Sequence, residues 1–101
     1  MDTTKGLKAI ASKPRLQILT WLRDPARYFG KQPVGDLHSD GVTATALMKK
    51  LGFTAPTLSE HIQHLEAVGF IESKRIGRYV LYKRDEDRIK QFKREFLSSF
   101  D

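Results

Sequence analysis

Eight residues that can hydrogen-bond crowd into one short stretch, TAPTLSEHIQHLEAVGF, at residues 54–70: Thr54, Thr57, Ser59, Glu60, His61, Gln63, His64 and Glu66. Hydroxyls, a carboxamide and a carboxylate on one surface are groups that can meet base edges in a DNA major groove. Whether they share a surface depends on the backbone. Leu58, Ile62 and Leu65 recur at spacings of four and three, the signature of a helix with one apolar stripe. Thr57, Ser59, Glu60 and Gln63 then fall on the other side, with His61 and His64 on its flanks. Pro56 sits in the first turn, where a missing N–H costs little.

A second chemistry follows at once. Lys74, Arg75, Arg78, Lys83 and Arg84 lie within eleven residues that contain no acidic side chain. The helical stretch before them has no Lys or Arg. This division suits nucleic acid, with point charges gripping phosphates and small polar groups approaching bases. Arg75 and Arg78 are the favoured phosphate contacts, and Arg78, beside Gly77, can also enter a minor groove. Lys49 and Lys50 can meet the backbone too, or can serve a helix dipole. Charges that merely keep a hairpin edge from aggregating are the plainer alternative.

Two metal-like groupings are weaker. Asp36, His38 and Asp40 in DLHSD would share one side of an extended strand, as an oxygen and nitrogen site. Asp, Ser and Gly favour turns in any loop, so a turn is expected there and no metal. His61 and His64 are read as DNA-facing or surface residues, with His61 counted among the DNA contacts. There is no Gly-rich phosphate loop, nucleophile motif or convincing carboxylate pair, so no enzyme and no cofactor are expected. Asp85, Glu86 and Asp87 stand where they would cap a final helix.

Composition sets the scale. The chain has 101 residues, 40% of them hydrophobic, enough for one domain over residues 1–101 with a small core. The net charge of +6 favours a polyanionic partner. No apolar run is long enough for a membrane span, and MDTTKGLKAI lacks the pattern of a secretory signal. Cysteine is absent, which excludes disulfides and thiolate metal sites and fits a cytoplasmic protein.

The elements that must position these groups are legible in order. Residues 4–11 are predicted helical, with Leu7, Ile10 and Ala11 on one side. Ser12 caps a second helix whose apolar face is Leu16, Ile18, Leu19 and Leu22, ended by Asp24–Pro25. Residues 25–42 read as a long loop. Thr43 caps a third helix with Leu47 and Leu51 inward and Gly52 as its left-handed stop. About two residues then separate it from the next cap, Thr54. Helices joined this tightly cross steeply, the helix-turn-helix arrangement, over 43–69. The period then changes to two, giving a hairpin over 71–83. A last helix over 86–100 carries Ile89, Phe92, Phe96, Leu97 and Phe100. The fold class is mainly α with a β-hairpin wing, a winged helix-turn-helix of about five helices.

LKAIASKPRLQILTWL, and then TALMKKLGFTAPTLSEHIQHLEAVGFIESKRIGRYVLYK, resemble the ArsR/SmtB winged-helix repressors. The likeness runs from Leu7 to the end. It implies a homodimer, paired through the first and last helices, that represses transcription until an effector binds. It also implies that the helix from Thr54 reads the major groove and that the hairpin is the wing. Metal-sensing relatives often carry Cys-x-Cys where Thr43 and Thr45 stand here, and hydroxyls are poor ligands for soft metals. Others bind zinc through Asp and His on the last helix, which here has no His. Where relatives often place Gln, Ser or a basic residue on the reading face, this chain has Ala55, Pro56 and Glu60.

The expectation is a dimeric repressor of a double-stranded DNA operator. Leu7, Ile10, Phe92, Phe96 and Phe100 are the expected dimer interface, because a small monomer has few places to hide a terminal helix rich in phenylalanine. Without the metal sites, such a repressor is released either by competition or its own abundance alone, or by an organic effector in the groove between subunits, where the 25–42 loop with Tyr28 and Phe29 could fold over it. The rival reading is a winged helix that uses its basic hairpin to bind an acidic protein.

Overall fold

The computed structural model of the chain describes residues 3–101. Its elements run α1 (Thr3–Ile10), α2 (Lys13–Arg23), α3 (Pro25–Tyr28), β1 (Val42–Thr43), α4 (Ala44–Leu51), α5 (Ala55–Ala67), β2 (Ile71–Ile76), β3 (Tyr79–Arg84) and α6 (Glu86–Ser98). The strands form one antiparallel sheet in the order β1-β3-β2. This is a winged helix-turn-helix, with β2 and β3 as the wing.

Local chemistry starts each helix. Ser12 Oγ accepts from Arg15 N at 3.4 Å, and Thr43 Oγ1 accepts from Ala46 N at 3.2 Å. Thr54 Oγ1 accepts from Thr57 N at 3.4 Å, and Asp85 Oδ1 accepts from Arg88 N at 3.0 Å. Such caps contribute about 1 kcal/mol each. Burial contributes more: Leu58, Ile62 and Leu65 are at most 2% exposed, and each is worth about 1.5–3 kcal/mol. The stripe therefore fixes α5 to the domain, and the cap only decides where the helix begins. Gly52, at φ 71° and ψ 32°, ends α4 in the left-handed conformation. In the wing, β2 and β3 pair from Ile71↔Arg84 to Ile76↔Tyr79, so Gly77 and Arg78 make a two-residue turn.

Several expectations need correction. The inward residues of α1 are Gly6 and Ala9, while Leu7 and Ala11 are exposed and Ile10 is half-buried. Gly6 faces inward because the rings of Phe92 and Phe70 occupy the space that a side chain would need. Leu16 is exposed, although Ile18, Leu19 and Leu22 of the same helix are buried. The last helix stops at Ser98, with Ser99 as its cap, so Phe100 lies beyond it.

Residues 25–42 are not simply a loop. Pro25 opens the one-turn helix α3, and Val42 begins a short strand. The side chain of Gln32 holds the free edge of that strand as a peptide group would. Its Nε2 donates to Gly41 O at 2.8 Å, and its Oε1 accepts from Thr43 N at 3.2 Å. DLHSD is a turn and not an extended strand, which removes the one-sided placement of Asp36, His38 and Asp40. Asp36 Oδ1 accepts from the backbone N–H groups of His38 and Ser39, both at 2.9 Å, and from Ser39 Oγ at 3.1 Å. Asp40 accepts from the backbone N–H of Asp36 and from Lys74 of the wing. These bonds favour the charged carboxylates and lower both pKa values, chiefly through the Ser39 backbone for Asp36 and through Lys74 for Asp40. Among the described residues no group of three potential ligands gathers as a metal site, and no helix is long and apolar enough to cross a membrane.

Two outcomes follow from this packing. A Cβ at Gly6 would lie 2.4 Å from Phe92 Cε1. Gly6→Ala gains about 0.8–1 kcal/mol of helix propensity but incurs an overpacking cost of about 1–3 kcal/mol in a filled core. Urea unfolding should show a net loss of stability, and an unchanged or raised midpoint would refute the packing. For the Asp36 turn, the folded pKa lies below the ordinary 3.8. Its stabilisation is complete above that value and is lost as pH falls through the lower folded one. The stability gap between the parent protein and Asp36→Ala should therefore shrink only below about pH 4. A gap that closed at higher pH would contradict the turn.

Candidate nucleic-acid interface

The junction Gly52–Phe53–Thr54 sets how α5 leaves α4. Phe53 N donates to Met48 O at 3.0 Å, which continues the left-handed stop. The Phe53 ring stacks on His61 at 5.4 Å with 21° between the planes. His61 is accordingly half-buried and braces the turn instead of standing on the outer face. Its Nδ1 is buried with no hydrogen-bond partner among the described residues.

The outward side of α5 is polar and carries no Lys or Arg. Ala55, Pro56, Thr57, Ser59, Glu60, Gln63 and His64 are all exposed. Thr54 and Thr57 are joined through their hydroxyls at 3.1 Å, and Gln63 Nε2 donates to Ser59 Oγ at 3.5 Å. The Ser59–Gln63 contact is long and exposed, so both groups can exchange it for another partner.

The five wing cations divide by what they touch. Arg84 is drawn inward: its side chain is 9% exposed, Nη1 donates to Leu19 O at 3.0 Å, and Nε lies 3.0 Å from Glu86. It ties β3 to α2. Lys74 is bound to Asp40, while Lys83 reaches Ser39 O at 3.2 Å and Glu72 at 3.5 Å. Arg75 and Arg78 are exposed and have no carboxylate partner among the described residues. Arg78 lies over the Tyr79 ring at 5.3 Å and donates to its hydroxyl at 3.3 Å. That hydrogen bond raises the guanidinium pKa further, so Arg78 remains a fixed charge at the turn.

The two lysines of α4 also separate. Lys49 is exposed and shares a shallow depression with Thr45 and the wing residue Tyr79. Lys50 turns instead toward aromatic rings of α2, α3 and the residue after it. Its ammonium lies 5.2 Å from the Trp21 ring, 5.6 Å from Phe29 and 5.9 Å from Tyr28. Cation–π contact of this kind is worth about 0.5–1 kcal/mol at an exposed site. Sequence reasoning missed this cluster because residues distant along the chain assemble it. Thr43 is buried as the cap of α4, whereas Thr45 is exposed.

The apolar residues of the terminal helices do not form one exposed patch. Phe92 is 6% exposed and belongs to the core of the chain itself. Phe96 and Ile10 are half-buried against that core. Among the described residues, Leu7, Leu16, Leu97 and Phe100 are the large apolar side chains left exposed. Leu16 and Leu97 were not among the residues expected to form an interface.

No family model matches the sequence. The uncharacterized HTH-type transcriptional regulator YbzH of Bacillus subtilis (strain 168) is 38% identical over 89 residues, covering 88% of this chain and 89% of that protein. Two solved structures share the architecture. The homodimeric winged helix-turn-helix DNA-binding domain Mb0332 from Mycobacterium bovis is 25% identical with a TM-score of 0.64, over 95% of this chain and 76% of that one. An ArsR-like transcriptional regulator from Rhodococcus sp. RHA1 is 22% identical with a TM-score of 0.67, again over 95% and 76%. With a helix-turn-helix and wing in place and a 38% identical relative matched over nearly its whole length, the chain belongs to the HTH-type transcriptional regulators and has the winged-helix fold that the ArsR-like regulator shares.

Proposed function

We propose that this regulator is a homodimeric repressor of the cytoplasm that recognises a pseudo-palindromic DNA operator and catalyses no reaction. The whole chain, residues 1–101, acts as one DNA-binding unit. The observation that carries this reading is the division of polar groups. The outer face of α5 carries no Lys or Arg, and the two wing cations without a carboxylate partner among the described residues, Arg75 and Arg78, are on the adjacent wing. Thr54, Pro56, Thr57, Ser59, Glu60 and Gln63 face the major groove in this reading. Ser59 and Gln63 contact base edges, and Glu60 accepts from cytosine N4. Arg75, Arg78 and Lys49 grip phosphates and set the register. Lys50 and His61 support the geometry from behind.

The dimer brings two α5 helices to successive major grooves. Half-sites roughly 34–36 Å apart then follow from two-fold symmetry. The exposed Leu7, Leu97 and Phe100 on the terminal helices and just beyond α6 are the side chains available for pairing. Mb0332 is homodimeric with the same architecture, which supports this assignment.

Selection of bound duplexes from a random pool should return a pseudo-palindrome. Arg75→Ala and Arg78→Ala should weaken operator and random duplex alike, and each should reduce the salt slope by about one. Gln63→Ala should reduce operator preference by about 1–3 kcal/mol and leave the slope unchanged. An interaction module for an acidic protein would show no salt-dependent duplex binding at all. Light scattering at tens of micromolar should give a dimer, and Leu97→Asp combined with Phe100→Asp should give a folded monomer with weakened operator binding. A monomeric parent protein would refute the dimer.

A further inference from the structure

A cavity of about 390 Å³ opens between α2 and α6, with Ile10 of α1 at its edge. Its volume falls in the range of roughly 300–1,000 Å³ typical of small-molecule sites. Leu19, Phe70, Ile89, Phe92 and Phe96 supply an apolar wall, and none of the lining residues is acidic. The polar lining is largely engaged. The Thr20 hydroxyl donates to Leu16 O at 2.9 Å, and Arg84 is held by Leu19 O and Glu86. Arg23, at the end of α2, and Lys93, on α6, remain. Both are exposed, and neither has a carboxylate partner among the described residues.

An apolar slot with two spare cations at its rim has the complementarity of one ligand class. We propose that it binds an amphipathic monocarboxylate of the medium-chain fatty acid type. The alkyl chain lies against the phenylalanines, and the carboxylate meets Arg23 and Lys93. Charge complementarity points to this occupant, because the lining offers cations and no carboxylate. The position matters for regulation. Phe70 lines the slot and lies just past the end of α5, so an occupant packs against the residue that anchors that helix.

This proposal goes beyond the reading as a DNA-binding repressor, and its test contains no DNA. The probes are octanoate, decanoate, decanol and decyltrimethylammonium, each below its micelle concentration, titrated calorimetrically into the full chain. Each buried methylene should tighten binding about fourfold, so decanoate should exceed octanoate by roughly fifteenfold. Decanol and decyltrimethylammonium share the tail, and both should bind at least fivefold more weakly than decanoate. Arg23→Gln with Lys93→Gln should remove that preference while keeping the parent melting temperature, since both side chains are exposed. Equal affinity for decanoate and decanol would overturn the proposal, as would an absence of chain-length dependence. So would dissociation of a dimer in step with decanoate saturation, because the slot would then be a contact between copies.

Discussion

Four phenylalanine rings form a ladder from the centre of the domain to its surface, and the arrangement of the helices depends on it. The steps from Phe70 to Phe92, Phe96 and Phe100 are 5.1, 5.9 and 5.3 Å between ring centroids. Alternating edge-on and stacked contacts at these distances are the favoured aromatic geometries. Phe70 is 1% exposed and stands where α5 gives way to the wing. Its backbone N–H donates to Leu65 O, and its carbonyl accepts from Asp85 N, each at 3.0 Å. One residue therefore joins the end of α5, the start of β2 and the cap of α6. The packing of α1 against α6 follows, since Gly6 leaves room for the Phe92 ring. The lower rungs are core, and the upper rung is the apolar surface proposed to meet a second copy.

The electrostatics show the same economy. A basic hairpin looks like five equal charges in sequence, but the fold gives them three jobs. Arg84 anchors the wing root to α2, and Lys74 and Lys83 fasten the wing to the turn at residues 36–40. Exposed ion pairs of that kind contribute little individually, generally below about 1 kcal/mol. Their effect is positional: they orient the hairpin and leave Arg75 and Arg78 without a carboxylate partner among the described residues. Charge count alone would have overstated the electrostatic footprint of the wing.

The turn at residues 36–40 has a related role. The same carboxylates that suggested a metal site are committed to backbone N–H groups and to Lys74. Together with Gln32, they bring β1 to the edge of β3, where it pairs Val42↔Tyr82 and Thr43↔Leu81. Thr43 closes this strand and also caps α4. The segment that looked most like an irregular loop thus sets the starting point of the helix-turn-helix.

Much of the fold was legible in the chain. Ser12, Thr43, Thr54 and Asp85 cap their helices as expected, because capping is a local hydrogen bond within three residues. The stripe of Leu58, Ile62 and Leu65, the Gly52 stop and the change to period two after Phe70 specified a helix-turn-helix and a wing for the same reason. The sequence also determined the absence of thiolate chemistry and the positive charge. Tertiary structure decided what depends on distant partners. Periodicity could not show that α1 packs through Gly6 and Ala9, because the filling of that space by Phe92 and Phe70 is a property of other elements. It could not separate Phe92 from Phe100, which have the same side chain and differ only in depth. Nor could it separate Lys49 from Lys50 or Arg78 from Arg84, because a cation's role depends on which rings, carbonyls and carboxylates the fold brings within a few ångströms.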